Sequence, residues 1–85
     1  MLIVLPSTPT TEAASQWLVA EGIAHQVIKI PERLGYKTAA DIAIAVNAEV
    51  YPDIPMRLTR EGFVVMRVFK TFALNDDDEI VTSVG

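Results

Sequence analysis

The chain has 85 residues, no cysteine, 51% hydrophobic side chains, and seven basic against eleven acidic residues for a formal net charge of −4. One domain of this length buries only about 60 to 65 per cent of its unfolded surface, and the apolar fraction lies above the usual range, so some apolar surface is expected to end at an interface. Without cysteine there is no disulfide, thiolate metal site or thiol chemistry, and the acidic balance argues against nucleic acid as a partner. No apolar run reaches the roughly 18 to 20 residues of a membrane span, and the apolar start Met1 to Leu5 lacks a basic leader, so no membrane is expected and the expected location is the cytoplasm.

Leu2 to Leu5 is a continuous apolar run closed by Pro6-Ser7-Thr8-Pro9, the pattern of a buried strand delivered into a turn. Thr8 is the expected N-cap of a helix over about 9–21, with Pro9 at its first position and Ala14, Trp17 and Leu18 as the inward stripe. Gly22 is expected to end it, with Ile23 folding back on the last turn. Residues 24–30 are rich in β-branched side chains and give a second strand, and 31–38, holding a proline and a glycine without periodicity, give a loop.

Ile42 to Val46 alternates large and small and is read as a third strand. Residues 53–61 can form a short second helix beginning near Pro55. Residues 63–72 carry the strongest strand signal, with apolar side chains on both faces, and 79–84 either add an edge strand or fray after the acidic turn 75–78. A single domain over 1–74 is thus followed by an acidic turn and edge strand or tail over 75–85. The order β-α-β, β-α-β predicts an α+β, ferredoxin-like split β-α-β sandwich with one sheet face left bare. A bare apolar face is normally covered by a second copy or another protein, so a homodimer or a protein partner is expected, with Val27, Phe63, Val65 and Phe69 as contact residues.

Val4-Leu5-Pro6-Ser7-Thr8, Ala14 and Leu18 before Gly22-Ile23, Ile30-Pro31, and Ile42-Ala43-Ile44 together resemble a small bacterial family of selenium/sulphur carrier-like domains of unknown function. The resemblance covers roughly residues 2 to 46. Members carry a Cys-Gly pair before the third strand, where this chain has Ala40-Asp41. The resemblance therefore implies the fold without the thiol.

His25, the only histidine, is expected to be an ordinary surface or sheet-edge residue, because one histidine makes neither a metal site nor a triad alone. Ser7 and Thr8 are expected to cap the helix, and the alternative is that they bind a small anion together with Arg33, Tyr36, Lys37, Thr38 and Asp41 at one end of the sheet. No glycine-rich phosphate loop or calcium loop is present, so no cofactor and no metal are expected. The expected function is non-enzymatic, acting through protein contact at the apolar sheet face. The alternative is a small-ligand or sulphur-relay accessory domain.

Overall fold

Leu2–Val4 forms the first strand, β1, in the computed structural model of the chain, which describes residues 1–85. All three of its side chains are buried, and it lies inside an antiparallel sheet. Helix α1 follows over Thr8–Ala20. Its N-cap is Ser7 rather than Thr8: the Ser7 hydroxyl accepts the Thr10 N–H at 3.2 Å, and Pro9 stands in the first turn, where a missing N–H costs nothing.

Both helices end in the same way. After α1 the Gly22 N–H bonds to the Val19 carbonyl and the Ile23 N–H to that of Leu18; after α2, Ile54–Arg60, the Gly62 N–H bonds to Thr59 and the Phe63 N–H to Leu58. Gly22 and Gly62 have φ of 71° and 95°, the left-handed conformation this termination needs. Pro55 is accommodated in the first turn of α2.

Strands β2 (His25–Lys29), β3 (Ile42–Ala45), β4 (Arg67–Phe69) and β5 (Ile80–Val84) complete a five-stranded sheet ordered β4-β1-β3-β2-β5, with every neighbouring pair antiparallel. The protein is therefore α+β, two helices on an antiparallel sheet. Both helices pack on one face, where Ile3, Leu5, Ala14, Leu18, Ile44, Ile54 and Leu58 form the larger core and Trp17, Phe63, Val65 and Val68 close its margin. Arg57 ties the helices together: its guanidinium lies over the Trp17 ring and reaches Glu21 at 3.2 Å.

Two expectations are corrected. The strand expected over 63–72 shrinks to Arg67–Phe69, because β4 pairs only with β1, and β1 offers it Leu2, Ile3 and Val4 alone. Nor is the face opposite the helices bare. Leu2, Val4, Ile28 and Ala43 form a second core there, covered by Leu34 and Tyr36 from the loop after β2, by Phe69, and by Phe72. The topology explains this cover. β4 and β5 are the two outer strands, so residues 70–79 cross the sheet from one edge to the other, and Phe72 fixes the side on which they cross.

Candidate functional site

The residues singled out from the sequence fall into three groups. Ser7 is committed to capping: its hydroxyl is bonded to Thr10, and its carbonyl accepts both the Thr11 N–H and the Thr11 hydroxyl. Pro9 has no N–H to give, so little is left at this helix end for an anion. Thr8 does meet the loop, because its hydroxyl accepts the Asp41 N–H at 3.2 Å.

Tyr36, Lys37, Thr38 and Asp41 line one cavity of about 500 Å³, together with Glu32. Arg33 is not among them. Its guanidinium turns onto the crossing segment, pairs through both terminal nitrogens with the Asp78 carboxylate, donates to the Ala73 carbonyl at 3.1 Å, and lies over the Phe72 ring. The Asp78 side chain is only 4% exposed, and the Arg33 fork together with the Asn75 N–H holds its carboxyl below the usual carboxylate range. A second pair, Lys29 with Glu79 at 3.4 Å, lies at the end of the same segment.

The four expected contact residues separate as well. Phe63 and Val65 pack against the helix-side core and Val27 is buried within the sheet, so of these four Phe69 alone is part of the surface opposite the helices. Between Val65 and Val68 the chain changes which side of the sheet it presents, which an uninterrupted alternation would not do.

Around Phe69 the surface is aromatic and cationic. The Tyr36 ring meets Phe69 edge-on, with centroids 5.9 Å apart. Arg67 lies over both rings, at 5.5 Å from Tyr36 and 5.0 Å from Phe69. Unlike Arg33, it makes no ion pair with a carboxylate of this chain. Arg67 was missed by sequence reasoning because it appeared only as a polar interruption of an apolar run.

His25 departs from the expected surface role. It is 4% exposed; its Nδ1 lies 2.9 Å from the Ile23 carbonyl and its Nε2 lies 2.6 Å from the Ser15 hydroxyl. A carbonyl only accepts, so Nδ1 carries the proton, and Nε2 of the neutral ring accepts from Ser15. A second, more open cavity of about 670 Å³ lies at the other end of the sheet, between Gln26 and Ser83 on the strands and Lys70, Phe72 and Leu74 of the crossing segment. No helix is long and apolar enough to cross a membrane, and no three His, Asp or Glu side chains assemble as a metal site. No protein-family model, curated protein or solved structure matches the chain.

Proposed function

We propose that this is a non-enzymatic, ferredoxin-like domain that works by self-association through the aromatic and arginine surface opposite its helices. The strand order β4-β1-β3-β2 with a helix after β1 and another after β3 supports the ferredoxin-like assignment, with β5 added at the β2 edge. The resemblance of residues 2–46 to the carrier-like domains belongs to the same proposal and concerns the fold, since Ala40 stands where their cysteine would.

The observation that carries the reading is Arg67 stacked on Tyr36 and Phe69 with no carboxylate partner. Aromatic and arginine side chains are the residue types that dominate binding energy at protein interfaces, and a guanidinium held against two rings is positioned to grip a carboxylate. A second copy supplies that carboxylate: Asp76 and Asp77 are exposed on the crossing segment, take part in no ion pair, and so present acid beside the same face.

The test is the mass of the protein in solution across a range of concentrations, by light scattering. The expected result is a dimer that Phe69→Glu converts to monomer and that added salt weakens. A wild-type monomer at every concentration overturns the reading.

The cavity beside Tyr36 supports a second reading, a small-anion site using Lys37, Thr38 and Thr8. The carboxylates of Glu32 and Asp41 at the same cavity oppose an anion, and Arg33 is engaged elsewhere, so this reading stands second. Under it, phosphate raises the melting temperature of the wild type and does not raise that of Lys37→Ala.

A further inference from the structure

We infer that the outer edge of β2 is an exchangeable strand-acceptor site, filled by β5 of the same chain or by β5 of a second copy. β5 is attached to the rest of the molecule in an unusual way. None of its side chains belongs to either core, four of its five residues are exposed, and it pairs with β2 alone. Its side-chain ties are few: Gln26 donates to the Ser83 hydroxyl at 3.0 Å, and Lys29 meets Glu79 just before the strand.

The acceptor, by contrast, needs a strand. His25, Val27 and Ile28 of β2 are 4%, 4% and 0% exposed beside β5, and their backbone edge would otherwise face water. An identical strand in trans makes the same ladder and the same Gln26–Ser83 bond. Cis and trans occupancy therefore differ only in the connecting segment and in protein concentration.

The connection is longer than its path within one chain requires, which leaves slack for a trans arrangement. Four inter-strand steps separate β4 from β5, about 19 Å at ~4.8 Å each, whereas the ten residues from Lys70 to Glu79 span up to about 33 Å when extended. The segment contains no helix or strand, and it is fastened chiefly by Phe72 and the Arg33 clamp. Once Phe72 and the clamp release, β5 leaves as one piece; every buried member of both cores stays in place, and of their cover Phe72 alone moves with the segment.

This inference does not depend on the Arg67 surface, and its test separates the two. The chain has no cysteine, so Gln26→Cys and Ser83→Cys, at directly opposed ladder positions, give a single defined disulfide. The double variant is expected to close within one chain on oxidation at low concentration. The two single variants, mixed at about 1 mM, comparable with the effective concentration of a tethered strand, are expected to give a 26-to-83 link between chains well above the background of Ser83→Cys mixed with Val19→Cys. Closure in the double variant with no such link in the mixture, whether incubated natively or refolded together, overturns the inference. So does a failure of the double variant to close, or a link that joins only 83 to 83, which would mark edge-to-edge pairing. If Phe69→Glu abolishes the dimer and no 26-to-83 link forms, the surface reading stands and strand exchange falls. If the link forms and Phe69→Glu leaves the dimer intact, the reverse holds.

Discussion

Arg33 and Asp78, 45 positions apart, form a two-pronged ion pair that fastens the segment crossing the sheet to the loop after β2. The same guanidinium takes the Ala73 carbonyl and lies over Phe72, so one side chain holds the crossing segment at three points. The charge of Asp77, which is not paired with Arg33, adds a smaller share to the hold on the guanidinium proton.

The clamp carries a pH dependence whose sign is fixed. Asp78 has its carboxyl held below its ordinary value of 3.8, first by the Arg33 hydrogen bond and then by the Asn75 N–H. The unfolded chain binds that proton more readily, so the contribution to stability is complete above the ordinary value and disappears as pH falls through the lower folded one. The amide proton of Asn75, which donates to Asp78 Oδ2 at 2.8 Å, reports the titration directly by NMR. Its midpoint is expected below 3.8, and a midpoint at or above that value would remove the clamp from the account. Asp78→Asn should abolish the step and speed amide exchange over 70–79, leaving β1 and β3 amides protected.

Ser15 and His25 yield a second prediction. Removing the hydroxyl leaves Nε2 as a buried acceptor with no partner, and such groups cost about 1 to 3 kcal/mol. Ser15→Ala is expected to lower the unfolding free energy in urea by that amount without changing the slope. Nitrogen chemical shifts of the ring should place the proton on Nδ1 in the wild type. A ring protonated on Nε2 when neutral would contradict the geometry.

A third concerns the helix-side core. Leu58 is fully buried where α2 meets the sheet, and it also anchors the turn that returns through Phe63. Leu58→Ala should cost about 2 to 5 kcal/mol, a large share of the stability of so small a domain. Met66, 51% exposed, is the control: Met66→Ser is expected to stay within about 0.5 kcal/mol. Equal costs at the two positions would mean that α2 does not pack as described.

The first half of the chain was legible because its signals are local. Leu2 to Leu5, the Pro-Ser-Thr turn and Gly22 each impose their structure on their own few residues, and β1, α1 and β2 lie where those signals put them. The second half depends on relationships between distant residues. Nothing in the apolar run 63–72 indicates that only Arg67–Phe69 finds a partner strand, because that limit is set by β1. The covered sheet face was illegible for the same reason. It follows from β4 and β5 lying on opposite edges, which forces the crossing, and from Arg33 finding Asp78. Of the candidate site, the gathering of Tyr36, Lys37, Thr38 and Asp41 follows from their nearness in sequence, whereas the stacking of Arg67 on Tyr36 joins β4 to the loop after β2 and leaves no trace in spacing.

Gly22 and Gly62 allow the backbone contribution to be measured without interference from packing. Both lie in the left-handed region, and a Cβ built at either one meets no atom within 4 Å. A substitution therefore reports the cost of holding an L-residue at positive φ, about 1 to 2 kcal/mol, and no clash. Gly22→Ala and Gly62→Ala are each expected to lower stability by about that amount, and the double variant by nearly the sum, since the two turns close different helices. Asn tolerates this conformation better than alanine, so Gly22→Asn should recover part of the loss. If alanine and asparagine cost the same at both positions, the helices end by some route other than the left-handed glycine, and the hydrogen bonds from Ile23 to Leu18 and from Phe63 to Leu58 would have to be abandoned.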